Sequence, residues 1–292
     1  MPSHTIPSGL LFKILHWVNT SEISTIKSVV ASIVEVINDP NSNARDLKNI
    51  VEIDPPLTAR VLKMANSAYY SPRCPIGDIL QAVIFIGFDA LKELVVSQKV
   101  CLLFKNTEIF EGYSRTSLWK HSIAVALLAK MICRREFGDK GQVAYVAGLL
   151  HEIGIIIEEQ MLQSEFHSTL SFSREKRINL FQAEQKLLGI NHAAIGKAVV
   201  EDWSLPPALA AVIGYHHHPE SAPLDHRDLI AIVYVADTIC QRNQIGYSDA
   251  PHTELGTFNR CLRHLNITQD SLDLILPDVI NSVDEMERQG LF

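Results

Sequence analysis

Apolar residues recur at intervals of three and four along almost the whole chain, and that spacing leaves little choice of fold class. Ile26, Val29, Val30, Ile33, Val34 and Ile37 fall on one face of a helix. No run of β-branched residues alternates with period two, as a half-buried strand requires. The chain is therefore predicted to be all-α. Hydrophobic residues make up 47% of its 292 positions, enough to supply a sizeable core.

Stop and start signals divide the helical pattern. Asp39-Pro40-Asn41-Ser42-Asn43 ends the first stretch, and Ser42 or Asn43 can cap the next. Asp54 is placed to cap a helix whose first turn holds Pro55 and Pro56, where a missing N–H costs little. Ser71 to Pro75 is a loop, and the helical pattern of Ile76 to Val100 breaks near Gly87. Polar residues from Lys105 to Thr116 mark a candidate boundary between two halves. Further helices are predicted over Leu118–Glu136, Gln142–Ile157, Asn179–Leu188, His192–Trp203, Pro206–Tyr215 and Leu229–Arg242, with short amphipathic helices from Asn266 onward.

Twelve histidines are present, and their placement matters more than their number. His121 sits early in an apolar helix. His151-Glu152 ends the apolar run Ala144 to Leu150. His192 begins a helix after Gly189, His216-His217-His218 ends one, and Asp237 lies inside the apolar stretch Ile232 to Ile239. Each has a plain structural explanation. His121 can be a satisfied core histidine, His216 to His218 a solvated helix end suited to the dipole, and Asp237 the partner of an arginine such as Arg242. Taken together they read differently. A buried carboxylate is costly unless paired or bound to a cation, and neutral imidazole offers a nitrogen lone pair. Such groups converging from separate helices are what a helical metal site uses. An adjacent His-acid pair can supply one ligand each, with the carboxylate free to bridge two ions.

These residues also carry a family resemblance. Asp54-Pro55 through Ala65-Asn66-Ser67-Ala68-Tyr69-Tyr70, then Ile76-Gly77-Asp78-Ile79, Ala82-Val83 and Ile86-Gly87, resemble the N-terminal half of the HDOD family, the HD-related output domains of bacterial signalling proteins. Ala147-Gly148-Leu149-Leu150-His151-Glu152-Ile153-Gly154 is similar to the central motif of the HD superfamily. Gly189 to Gly196, Trp203-Ser204-Leu205-Pro206 and His216-His217 continue the pattern.

The resemblance implies an N-terminal helical lobe, residues 1–110, packed on an HD-like lobe, residues 111–292. It also implies a ligand set. Two-metal HD enzymes, such as the HD-GYP cyclic-dinucleotide phosphodiesterases, draw ligands from positions matching His121, His151, Glu152, His192, His216, His217 and Asp237. Three positions depart from the pattern. The acid of the pair is Glu152 rather than Asp, which moves the carboxylate by about 1 Å and bears on metal preference. No Gly-Tyr-Pro loop follows the His pair, since His218-Pro219-Glu220-Ser221 stands there. Ile155 occupies the place of a phosphate-contacting Lys. The metal ligands are expected to be kept, without the groups that would grip a phosphate.

The expected function is thus a bacterial signal-transduction protein with a metal-binding HD-type site, acting through contacts with signalling partners. The alternatives are a metal-dependent phosphohydrolase acting on a nucleotide, cyclic dinucleotide or other phosphorylated small molecule, and a metal-free regulatory scaffold. A mixed His-carboxylate set favours one or two transition-metal ions of the Fe, Mn or Zn type over Mg or Ca. Asn66 to Tyr70 is expected to be a helix terminus with aromatics packed between the lobes, its other reading being a partner or ligand contact surface.

Other classes are disfavoured. A formal net charge of −7 argues against nucleic acid, which needs an excess of Lys and Arg on some face. No stretch reaches the ~18 uninterrupted apolar residues of a membrane span; Ile79 to Val96 comes closest but contains Gln81, Asp89, Lys92 and Glu93. The N-terminus lacks a signal-peptide layout. Cys74, Cys101, Cys133, Cys240 and Cys261 are scattered, form no C-x-x-C pair and read chiefly as small core residues. A cytoplasmic location is expected.

Overall fold

The computed structural model describes residues 8–21, 23–67, 70–104, 108–249 and 255–288. Among these residues there are sixteen α-helices, short 3₁₀ turns and no strand. The N-terminal helices are α1 (Ser8–Thr20), α2 (Ser24–Asn38), α3 (Ala44–Glu52), α4 (Pro55–Ala65), α5 (Ile79–Ile86) and α6 (Phe88–Val100). Side-chain caps start several of them. Asn43 accepts from the backbone of Arg45 at 2.9 Å while Asp46 accepts from the Asn43 N–H at 2.8 Å, so reciprocal capping opens α3. Asp54 accepts from Leu57 N–H at 3.0 Å and its other oxygen receives the buried Lys99 ammonium at 2.7 Å. Asn66 ends α4 and pins the next loop, its amide donating to the Leu62 and Ile76 carbonyls and accepting from Ile76 N–H. Tyr70 is half-buried against the core; Ala68 and Tyr69 lie outside the described residues.

The rest of the chain forms α7 (Arg115–Glu136), α8 (Gln142–Leu150), α9 (Ile153–Met161), α10 (Gln163–Lys176), α11 (Leu180–Leu187), α12 (His192–Asp202), α13 (Pro207–Tyr215), α14 (Arg227–Arg242), α15 (Leu255–Leu265) and α16 (Gln269–Arg288). Helix α7 is the central post, packed against α8, α14 and α16, while α12 lies against α9 and α13. Helix α6 joins the two halves. It packs on α2 and α4 on one side and on α8 on the other, and residues 91–100 are all buried. Its charged groups find partners across the joint: Glu93 pairs with Lys130 of α7 at 2.5 Å, and Lys92 reaches Gln142 of α8 at 3.3 Å. Helix α1 packs on α12, with Asn19 donating to the Asp202 carboxylate at 3.0 Å.

Three segments differ from the pattern expected of the sequence. The single helix predicted over Gln142–Ile157 is two, broken where His151 caps α8 and Glu152 takes φ −100°, ψ 15°. Helix α10 has no counterpart among the predicted helices, although its buried Phe166, Thr169, Leu170 and Ser173 keep the three-four spacing on an otherwise polar segment. The tail holds a 20-residue helix, α16, rather than short pieces, running through Pro277 and packing on α7. Of the five cysteines, Cys133, Cys240 and Cys261 are buried as expected, Cys101 is half-buried and Cys74 is exposed. No described helix is long and apolar enough to cross a membrane.

Candidate metal centre

Five places in the fold deliver the seven predicted side chains to one buried spot. His121 comes from α7, His151 and Glu152 from the α8–α9 corner, His192 from the first turn of α12, His216 and His217 from the end of α13, and Asp237 from α14. His121, His151, Glu152, His192, His216 and Asp237 are all buried, and His217 partly so. The corner explains the helix break: two successive residues can face one point only if the backbone leaves the helical path between α8 and α9.

Close approach of the backbones is built into the sequence. A Cβ on Gly154 would stand 1.9 Å from the carbonyl oxygen of His192, so only glycine lets the start of α9 meet the start of α12. Gly246, at φ +77°, plays the same part beside α7, where a Cβ would come within 2.3 Å of His121 N.

The donor atoms form two groups that share one residue. Donors of Glu152, His192, His216 and His217 lie within 4.8 Å of one another, and so do donors of His121, His151 and Glu152. Glu152 Oε2 is 3.1 Å from His192 Nε2 and 3.6 Å from His216 Nε2, while its Oε1 is 3.8 Å from His151 Nε2. Asp237 Oδ1 joins the second group at 3.0 Å from His121 Nε2 and 3.9 Å from His151 Nε2. Ligands about 2.1 Å from a shared ion stand about 3.0–3.4 Å apart in octahedral or tetrahedral arrangement. The closer of these contacts fall in that interval.

Several of the donor atoms have no hydrogen-bond partner. His121 Nδ1 and Nε2, His151 Nε2, Glu152 Oε2 and His216 Nε2 are buried without an aligned hydrogen-bond partner. Orphaned acceptors in a dry interior are costly, and a cation placed among them would satisfy several at once. Three of the opposite ring nitrogens are already committed. His151 Nδ1 contacts the Gly148 carbonyl at 2.7 Å, His216 Nδ1 the Ile213 carbonyl at 2.8 Å, and His192 Nδ1 the Glu184 carboxylate at 2.7 Å. The bonds to the two carbonyls make Nδ1 the N–H donor in His151 and His216 and leave Nε2 bare, as metal-ligating histidines require, while His192 Nε2 stands 2.8 Å from His217 Nε2.

Charge states follow the packing. Burial pulls the His151 imidazole down to about 4, and burial with neighbouring His216 and His192 holds His217 well below its ordinary range. Burial pushes Glu152 upward, but His192 and His151 outweigh it and hold the carboxyl well below the usual range. For His192, burial is likewise outweighed, here by Glu184 and Glu152, which raise it. Glu158, with no hydrogen-bond partner on either oxygen, is held well above the carboxylate range by burial and by the charge of Glu184.

Several supporting residues carry no mark in the sequence pattern. Glu184 orients His192, Glu158 backs Glu184, and Gln241 donates to Asp237 at 2.9 Å. An acid on the buried Leu180, Ala183 and Glu184 face of α11 is the one readable signal. Arg242 does not pair with Asp237; its guanidinium lies over the Phe258 ring at 4.1 Å. His218 stays outside, exposed and facing Glu220 at 3.5 Å.

A cavity of about 390 Å³ is lined by Glu111, Arg174, Arg177, Tyr247 and Asp249 among others. Tyr247 N–H donates to the Ser117 carbonyl on α7 at 2.8 Å, and Asp249 accepts from Leu180 N–H at the start of α11. Burial lifts Asp249 to about 6, and it lies within electrostatic reach of Glu152, His192 and Asp237.

A family model described as the HDOD domain matches residues 23–219, a span that includes six of the seven converging side chains. The chain belongs to the HDOD domain family. The solved HDOD domain protein of unknown function from Geobacter sulfurreducens is 30% identical, with a TM-score of 0.76 over 89% of this chain and 90% of that one. A candidate signal transduction protein from Marinobacter aquaeolei VT8 shares the fold at 20% identity and a TM-score of 0.75, over 99% of this chain and 67% of that one. An uncharacterized protein of Treponema pallidum (strain Nichols) is 24% identical over 241 residues. That alignment takes in 81% of this chain but 46% of the relative, so the chain spans about half the length of the curated relative it matches.

Proposed function

We propose that this HDOD protein is a bacterial signal-transduction module whose HD-type portion holds two transition-metal ions bridged by Glu152, and that it acts through contacts with signalling proteins. The supporting observation is the pair of donor groups sharing Glu152, several of whose atoms have no hydrogen-bond partner. His192, His216 and His217 would complete one ion's shell. His121, His151 and Asp237 would complete the other's. The imidazole-rich set suits iron, manganese or zinc. The division at residues 110 and 111 belongs to the same proposal, as does a cytoplasmic setting, which the scattered cysteines without a C-x-x-C pair support.

The second reading is a metal-dependent phosphohydrolase for a nucleotide or cyclic dinucleotide. It is favoured by the cavity whose Asp249 lies within electrostatic reach of Glu152 and His192, where Arg177, and Arg174 paired with Glu111 at 3.1 Å, would supply cationic contacts in place of the lysine position taken by Ile155. Bound metal would supply an activated water and a clamp on a phosphoryl group. In this chain Glu184 would hold His192 in register, and Tyr247 and Asp249 would line the approach.

Metal analysis of the purified chain beside a His151→Ala/Glu152→Ala variant separates these readings. About two ions per chain in the wild type and none in the variant is expected. Metal in neither protein overturns both readings in favour of a metal-free scaffold. Turnover of a phosphodiester panel that vanishes in the variant would replace the signalling reading with the enzyme.

A further inference from the structure

Helix α11 brings two side chains to the candidate centre. Glu184 contacts His192 Nδ1 at 2.7 Å. Phe181 stands three positions earlier and so shares that face of the helix, and its ring meets His192 edge-on with centroids 6.0 Å apart. The same ring packs on His217 at 4.7 Å and on His218 at 5.0 Å. The backbone beneath it is fixed, since Asn179 accepts from Gln182 N–H at 2.8 Å and Asp249 accepts from Leu180 N–H.

These rings form a graded path from solvent to the centre. His218 is exposed, Phe181 and His217 are partly buried, and His216 and His192 are buried. His217 makes the inner link, with its ring 4.1 Å from that of His216 and 4.9 Å from that of His192. Of the seven candidate ligands, His217 alone is not fully enclosed. The partly open side of the centre is therefore the His217 side, and Phe181 lies against it.

His217 is also loosely tethered. It follows the last turn of α13. His151, His192 and His216 are each anchored through Nδ1. Among the described residues, the only hydrogen-bond contact of the His217 ring is through Nε2, 2.8 Å from His192 Nε2. His121 shares the lack of an Nδ1 partner but is enclosed by the core. A ligating imidazole without a partner on its second nitrogen is poorly oriented, so packing against Phe181 takes over that task for His217.

We infer that Phe181 is the gate of the metal centre and that His217 is the ligand that lets go when the gate opens. With the Phe181 ring swung aside, His217 turns outward beside His218 and the centre is open to exchange. This rests on the metal-binding reading above and concerns the rate of exchange rather than affinity.

The test measures rate and affinity separately on the full chain, as wild type, Phe181→Ala and Phe181→Leu, with zinc and manganese as probes. Helical content by circular dichroism confirms that each variant is folded. Stopped-flow release into excess chromophoric chelator gives the off-rate, uptake by metal-stripped protein gives the on-rate, and competition at equilibrium gives Kd. Phe181→Ala should speed release and uptake alike, each roughly tenfold, the worth of one aromatic contact, with Kd nearly unchanged. Phe181→Leu, which keeps apolar cover without the ring, should fall between. A merely structural role would speed release alone and weaken Kd. Unchanged release in folded Phe181→Ala, or faster release with unchanged uptake, overturns the gate and leaves the metal centre standing. If Phe181→Ala does not fold, Phe181→Leu decides, and wild-type rates in it overturn the gate. No uptake of either metal by the wild type overturns the metal-binding reading and the gate with it.

Discussion

At the scale of single residues, the centre depends on groups that never touch an ion. Glu184 fixes the His192 ring through a 2.7 Å contact to Nδ1 and also accepts from His192 N–H at 2.9 Å. Replacing it with Gln keeps the shape but removes the charge that holds the tautomer. Glu184→Gln is expected to weaken metal binding about 10–100-fold, measured by competition against a chromophoric chelator, with little change in helical content. Gly154 acts through space alone. Gly154→Ala puts a methyl group into the His192 carbonyl, and parting α9 from α12 should cost about 1–3 kcal/mol, seen as a lower midpoint in urea. It should also lower metal occupancy, because His192 moves with the backbone it displaces. An unchanged midpoint would show that the two helix starts are not pressed together.

At the scale of elements, caps are the most legible feature and context the least. Asn43, Asp54 and Asn191 each cap a helix in the structure, and the first two are readable because a short polar side chain before an apolar-periodic segment has few other uses. The break between α8 and α9 is hidden because Ala144 to Ile157 is apolar almost throughout; only the need to aim His151 and Glu152 inward interrupts it. Helix α10 escapes notice because its polar face dominates its composition. The seven converging side chains are legible as unusual residues in apolar runs, helped by the family pattern. Glu158 and Gln241 gain meaning only from neighbours distant in sequence. The Asp54 cap carries a testable pH effect. The Lys99 ammonium holds the Asp54 carboxyl below its ordinary value of 3.8, outweighing the upward push of burial. A depressed carboxyl pKa contributes stability that is present above 3.8 and is lost as pH falls through the folded value. Asp54→Asn keeps a capping oxygen but leaves buried Lys99 unpaired. It should cost about 1.5–3 kcal/mol at pH 7, and the gap to wild type should close below pH 4 in denaturant melts.

At the scale of the whole molecule, two kinds of joint hold the chain together, and they answer to different perturbations. The N-terminal helices are tied to α7 by the buried Glu93–Lys130 pair, where burial outweighs the lysine and raises the Glu93 carboxyl. Lys130→Met strands that acid and should cost about 3–5 kcal/mol, whereas the Glu93→Met/Lys130→Met double variant should be near neutral or more stable. The metal centre is the other joint. Its side chains come from α7, the α8–α9 corner, α12, α13 and α14, so an ion held there links five separate segments and the unfolded chain presents no comparable site. Binding to the folded state alone stabilises by mass action, by about 2.7 kcal/mol when free metal stands at a hundred times its Kd. Wild-type protein should therefore melt several degrees higher in manganese, iron or zinc than in chelator, with Tm rising as metal concentration rises. The His151→Ala/Glu152→Ala variant should melt at one temperature in both. The Lys130→Met protein should keep the full metal-dependent increment, because its lesion lies on the opposite side of α7. Loss of that increment in Lys130→Met would show instead that the two joints are coupled through α7.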